Sequence, residues 1–188
     1  MSTHRQRAEN PYTSPEILTR LATDTDWLVR SRVAANPNTP AEALTTLATT
    51  PDTYLRFQVA AHPSTPSAVL ATLATDIDAA VRQQVARNPT TPADTLTALS
   101  HDHTPQVRYQ VAINPNTPTD TVAALTADRD PHVARAAGEI RDSNKLLHRI
   151  LYGTRPQPRP ADGRRWFLRL TKRPGHGGKT TNPSHRQR

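Results

Sequence analysis

Asn36-Pro37-Asn38-Thr39-Pro40 is the stretch whose reading decides the fold, because it returns along the chain at a fixed spacing. Related segments start at Asn10, His62, Asn88 and Asn114, so successive starts lie 26 residues apart. A second phrase, clearest in Val81-Arg82-Gln83-Gln84-Val85-Ala86-Arg87, keeps the same register. Self-similarity at a period of roughly 20–50 residues marks a stack of structural repeats, in which each unit buries its apolar side against its neighbours.

Within one unit the local chemistry specifies two short helices, so the fold class is all-α. Thr39 reads as an N-cap, Pro40 as the first helical residue and Glu42 as the far end of a Thr-x-x-Glu capping box. Thr13…Glu16, Thr91…Asp94 and Thr117…Asp120 repeat the box. Leu44 and Leu47 supply an i, i+3 apolar pair, echoed by Leu18/Leu21, Leu70/Leu73, Leu96/Leu99 and Val122/Leu125. The second helix starts at Asp26, Asp52, Asp78 and Asp130, with Thr104 in the fourth unit, all natural N-caps. Its buried pair is spaced i, i+4: Val29/Val33, Leu55/Val59, Val81/Val85, Val107/Val111 and Val133/Ala137. Ala34, Ala60, Ala86 and Ala112 follow, small enough for neighbouring helices to approach. Asn-Pro then ends the helix, since the residue before a proline leaves the α region. His62 takes the asparagine's place once and reads as a turn residue.

The spelling NPxTPxxxLxxLAxDxDxxVRxxVAxNP resembles the variant leucine-rich repeat family across residues 10–138, five successive units. The resemblance implies a right-handed solenoid in which α and 3₁₀ helices alternate; capping gives two helices per unit without choosing 3₁₀ for either. It implies a scaffold and names no reaction. Some family members carry a cysteine-ligated iron–sulfur cluster ahead of the repeats. This chain has no cysteine, so that function does not carry over, and no cofactor or metal is expected.

Around the repeats, residues 1–9 are polar and read as a flexible N-terminus without the apolar run of a signal peptide. No stretch approaches the roughly 18 apolar residues that span a membrane, and a cytoplasmic protein is expected. The fifth unit decays at Ala134, Arg135 and Gly138, and no Asn-Pro follows. Ile140, Leu147 and Leu151 recur at helical spacing, so residues 132–151 read as one amphipathic helix that caps the stack, with 139–152 as its end. Residues 153–188 read as a disordered, basic tail rich in Pro and Gly. Charge divides at the same place: residues 1–150 hold 14 Lys/Arg against 15 Asp/Glu, whereas 151–188 hold 10 against Asp162 alone. The repeat body is almost neutral and the tail is a polycation.

Three groups of residues are candidates for function. Arg30, Arg56, Arg82 and Arg108 recur at one position. They could grip phosphates at regular intervals, but a structural role explains them with less: Asp26, Asp52 and Asp78 lie four residues before three of them, and Thr104 before Arg108. Positions that vary between units are where a solenoid keeps its recognition surface. On the second helices these include Trp27, Tyr54, Phe57, Gln84, Tyr109 and Gln110, and aromatics bordered by glutamine suit a protein partner. The alternative is that Trp27 and Phe57 fill the core between repeats. In the tail, Arg164, Arg165, Arg169, Lys172 and Arg173 surround Trp166 and Phe167. That segment suits nucleic acid, an anionic membrane surface, or docking as a short motif.

Two apparent motifs are set aside. Gly177-Gly178-Lys179-Thr180 echoes a phosphate loop, but Arg173 stands where its first glycine belongs. His101-Asp102-His103 lacks a third metal ligand, and Asp102 matches the turn residues Asp24, Asp76 and Asp128. No nucleophile and base come together, and the aspartates recur in rows instead of one pocket. The expectation is a non-enzymatic scaffold that binds another protein through a curved face and takes no small-molecule substrate. The alternative is a nucleic-acid or anionic-surface binding protein driven by its tail.

Overall fold

The buried side chains fall where the repeat predicts them. The computed structural model describes residues 3–152. Among them Leu18, Leu44, Leu70 and Leu96 from the first helices, and Val29, Leu55, Val81 and Val107 from the second, are all fully buried. Each such side chain stabilises the fold by about 1.5–3 kcal/mol relative to leaving it in water. The small alanines Ala34, Ala60, Ala86 and Ala112 are buried beside them.

The helices in chain order are α1 (Thr3–Glu9), α2 (Pro15–Leu21), α3 (Trp27–Ala35), α4 (Ala41–Ala48), α5 (Thr53–Ala61), α6 (Ser67–Leu73), α7 (Ala79–Arg87), α8 (Ala93–Leu99), α9 (Pro105–Ile113), α10 (Thr119–Leu125) and α11 (Pro131–Tyr152). Each odd-numbered helix packs on the next odd-numbered one, which makes one layer of the solenoid. Each even-numbered helix packs on the two odd-numbered helices that flank it in sequence. Among the described residues both helices of every unit are α, so the 3₁₀ helices implied by the resemblance are absent there.

The threonine capping box does not form. Helices α4, α6, α8 and α10 begin one residue later than expected, with Pro40, Pro66, Pro92 and Pro118 in the N-cap position. Thr39 instead turns back and its hydroxyl donates to the Val33 carbonyl at 2.5 Å. Thr13, Thr65, Thr91 and Thr117 do the same to Arg7, Val59, Val85 and Val111. The physical reason is burial: these hydroxyls are shielded from water, and the last carbonyls of the preceding helix need donors. The aspartate caps do form, Asp26, Asp52, Asp78 and Asp130 accepting from Leu28, Leu55, Ala80 and His132 N–H groups. Thr104, which replaces them once, makes no side-chain cap.

The recurring asparagine does more than end a helix. Asn88 Nδ2 donates to the Ala60 carbonyl at 2.8 Å and the His62 carbonyl at 3.1 Å, both at the equivalent turn one repeat earlier. Asn36 does so to Ala8 and Asn10, and Asn114 to Ala86 and Asn88. The side-chain oxygen meanwhile accepts the N–H two residues on, as from Thr90 to Asn88. One side chain thus closes its own turn and ties it to the turn before. His62 fits the same role with one donor fewer. Its Nε2 donates to the Asn36 carbonyl at 2.9 Å and its Nδ1 accepts the Ser64 N–H at 3.1 Å, which fixes the tautomer.

Both ends of the described residues depart from expectation. Residues 3–9 form α1 and are not the flexible segment the composition suggested. Ala8 is buried where Ala34 stands one unit later, and α1 packs on α3 as a second helix does. Ala8-Glu9-Asn10-Pro11 already carries that register, but the polar residues before it mask the signal. At the other end α11 forms as expected, and Val133, Ala136 and Ala137 are buried with Ile140 packed against the core. Its later turns run past the stack, leaving Leu147 54% and Leu151 62% exposed, so these two do not cap it. Among the described residues no helix is long and apolar enough to cross a membrane.

The asparagine ladder sets an order of stabilities. Asn88→Ala leaves two buried carbonyls without their donor and is expected to cost about 2–5 kcal/mol in urea unfolding. Asn10→Ala, at an exposed turn, costs under about 1 kcal/mol. His62→Asn restores the second donor and raises the unfolding free energy by about 0.5–1.5 kcal/mol.

Candidate functional site

The recurring arginines are positioned by the second turn of the odd-numbered helices, and their guanidinium groups point into the stack. Arg82 Nη1 donates to the Asp76 carbonyl at 2.8 Å, within its own unit. Its Nε and Nη2 grip the Asp102 carboxylate of the next unit at 2.6 and 3.1 Å. Arg56 with Asp76, and Arg108 with Asp128, repeat this bidentate geometry. The side chains of all three pairs are no more than 13% exposed. These bonds lie within the stack, and the partner differs from the expected i−4 aspartate. The i−4 aspartates are committed to capping, while the turn aspartate twenty residues ahead faces the guanidinium across the repeat boundary.

Each turn aspartate has a second duty. Asp102 Oδ1 accepts the Thr104 N–H at 2.8 Å, and Asp76 and Asp128 accept from Asp78 and Asp130. Burial pushes the Asp102 carboxyl up, but the Arg82 ion pair and the Thr104 N–H together hold it below the usual carboxylate range. Asp76 follows the same balance. For Asp128 the Arg108 hydrogen bond is the largest influence, and it too lies low. The ladder has one gap and one substitution. Thr50 stands where Arg30 would find its aspartate, so Arg30 Nη1 bonds only the Asp24 and Thr25 carbonyls. Asp24 is met instead by His4 of α1 at 2.7 Å. His101-Asp102-His103 is thus a turn whose carboxylate is already occupied. No group of three metal-ligating side chains occurs among the described residues.

With the arginines turned inward, the outer side of the odd-numbered helices is left to the residues that vary. Trp27 is 43%, Tyr54 49% and Tyr109 38% exposed. Trp27 and Tyr54 pack with ring centroids 5.6 Å apart, and Trp27 Nε1 donates to Asp52 at 2.8 Å. Phe57 is half-buried against the core, so it belongs to the packing more than to the open strip. Gln84 on α7 and Gln110 on α9 are also half-buried. A groove across α7, α9 and α11 is lined by Gln83, Pro105, Gln106, Tyr109, Gln110 and His132. Ile113, one turn beyond Tyr109 and 40% exposed, extends the strip and escaped the sequence reading. Its signal was available, since Ala35, Ala61 and Arg87 show that position to vary. The tail candidates Arg164, Arg165, Trp166, Phe167, Arg169, Lys172 and Arg173 lie outside the described residues.

The ladder makes the stack sensitive to acid. The carboxyls of Asp76, Asp102 and Asp128 sit below their unfolded values, so their contribution is complete above the unfolded carboxylate range, about pH 4. It is lost as pH falls through the lower folded values, and unfolding free energy should drop steeply below about pH 4. Asp102→Ala strands a buried guanidinium and should cost about 3–5 kcal/mol at neutral pH. Thr50→Asp fills the gap beside Arg30 and should raise the urea midpoint, worth about 1 kcal/mol.

Comparison with known proteins agrees with this architecture. Residues 29–88 match a family profile described as the Leucine Rich Repeat Variant domain, and residues 79–103 match the leucine rich repeat variant. Among solved structures, the chain is similar to a leucine-rich repeat variant with a novel repetitive structural motif. The two share 26% identity with a TM-score of 0.55, over 68% of this chain and 51% of that one. The similarity therefore spans about half the length of that protein. A crystal structure of an engineered protein is similar at 20% identity and a TM-score of 0.46, over 76% of this chain and 89% of the other. No curated protein matches. Repeat spelling, paired helices and structural likeness agree: residues 29–103 carry leucine-rich repeat variant units, and the fold is that of a helical-repeat stack.

Proposed function

We propose that the protein is a non-enzymatic scaffold that binds another protein along the outer side of its odd-numbered helices. One observation carries this reading. The arginines, asparagines and threonines that recur are consumed by the stack, while aromatic residues that vary and the glutamines of α5, α7 and α9 are left at the surface. Exposed Trp and Tyr beside uncharged polar side chains match the composition of protein interfaces, where aromatic anchors dominate the binding energy. The face offers Trp27, Tyr54, Tyr109, Gln84 and Gln110 as contacts, with Phe57 partly buried against the core. Such a stack presents its contacts in a row, one set per unit, and favours a partner that runs across several helices.

A second reading, association with nucleic acid or an anionic membrane through the tail, has the tail's charge in its favour. Arg56, Arg82 and Arg108 cannot contribute to it without breaking their ion pairs. Polyanion binding would then draw on residues 153–188 and not on the ladder.

Both readings can be tested on one protein. Affinity capture with the full chain is compared with the triple variant Trp27→Ala, Tyr54→Ala and Tyr109→Ala. The scaffold reading expects captured proteins that the variant loses while it stays folded by circular dichroism; identical capture by both would refute it. Binding to single-stranded oligonucleotides at about 50 and 200 mM salt examines the second reading. Salt-independent binding would rule out a tail-driven contact.

A further inference from the structure

The outer side of α5, α7 and α9 carries a second periodic feature, and it has no role in the stack. Gln58, Gln84 and Gln110 occupy one register on three successive helices, 26 residues apart. All three are half-buried at the surface. The Gln58 amide donates to the Tyr54 hydroxyl at 3.2 Å. Among the described residues the carboxamides of Gln84 and Gln110 have no hydrogen-bond partner. Of the four charged side chains on these helices, Arg56, Arg82 and Arg108 are held in the ladder, which leaves Arg87. This stretch is therefore a row of neutral donors and acceptors flanked by Tyr54 and Tyr109. It is matched in charge to a neutral backbone and poorly matched to a phosphodiester.

The spacing selects the form of that backbone. Packed helices lie about 8–10 Å apart, so one carboxamide is presented at about that interval. A polyproline II helix has three residues per turn with about 3.1 Å rise, which repeats every ~9 Å. It also leaves its carbonyls without internal hydrogen bonds and docks through proline rings against aromatic side chains. A β-strand presents the same side every two residues, about 6.6 Å, and falls out of step. Resting on the proposal that this face binds protein, we infer that α5, α7 and α9 take a proline-containing peptide in the polyproline II form, one turn per repeat. Gln84 and Gln110 donate to its carbonyls. Tyr54 stacks on one proline, and another enters the groove formed by Tyr109, Gln83, Gln106 and His132.

The test pans a display library of random 12-residue peptides on the full chain. Enriched peptides are then measured by fluorescence anisotropy against wild type, Gln84→Met, Gln110→Met and Tyr54→Ala/Tyr109→Ala. Methionine keeps the length and packing of glutamine while removing its donor. The expected result is enrichment of prolines spaced i, i+3, with affinity falling about tenfold in each methionine variant and further in the tyrosine variant. Peptides that depend on the tyrosines but lack the proline spacing, or ignore both methionine changes, overturn this inference and leave the scaffold proposal standing. Failure to enrich any peptide sensitive to these substitutions overturns both. So does tight binding of an oligouridine probe that the methionine variants abolish, which would assign the row to nucleic acid.

Discussion

A stack of 26-residue units has two layers of short helices and a core only one side chain deep. Every unit therefore exposes turn amides and carbonyls close to the apolar seam, where water cannot reach them. The asparagine of the Asn-Pro turn resolves this constraint. Its carboxamide supplies two donors to carbonyls of the preceding unit and one acceptor to its own turn, as Asn88 does with Ala60, His62 and Thr90. An unsatisfied buried carbonyl costs about 1–3 kcal/mol, which is comparable to burying one more valine. A second polar ladder runs through the arginines and the turn aspartates. Together the two ladders fix the register between units, which a thin seam of leucine and valine defines only loosely.

This division explains why some positions recur and others drift. Arg82, Asp102, Asn88 and Thr91 each bond to a backbone or side-chain group at a fixed place in a unit, so any change leaves a buried partner unmatched. Among the described residues Tyr54, Gln84 and Tyr109 form no side-chain hydrogen bond to another unit and meet no such demand. Where the ladder stops, the sequence relaxes with it. Ala134 replaces the arginine in α11, the helix with which the stack ends. The fold thus separates residues that hold units together from residues that the hydrogen bonds between units do not use.

Much of this was legible in the sequence. The period, the two helices per unit, the buried pairs and the alanines follow from spacing and side-chain size alone. What escaped were hydrogen bonds that reach across a unit boundary. Thr39 looks like an N-cap because the local pattern Thr-Pro-x-Glu favours one, yet its burial turns it back to Val33. Arg82 has Asp78 four residues behind it, a partner any helix would offer, but Asp78 caps its own helix and Asp102 wins. α1 was missed for a similar reason. Its sequence is polar because one row of contacts, through His4, Arg5 and Ala8, is enough to dock it on α3 and the first turn. The candidate face was legible as a set of variable positions, although Phe57 belongs partly to the core and Ile113 had to be added.

The account stands on the claim that stability and recognition are carried by different residues of the same helices. A proteolysis-based stability scan of all substitutions over residues 3–152 tests it most directly. The account predicts losses above about 2 kcal/mol for most changes at Asn88, Arg82, Asp102 and Thr91, and changes within about 0.5 kcal/mol at Tyr54, Gln84, Tyr109 and Gln110. If the second group proves as costly to replace as the first, those side chains are structural and the outer face is not a binding surface.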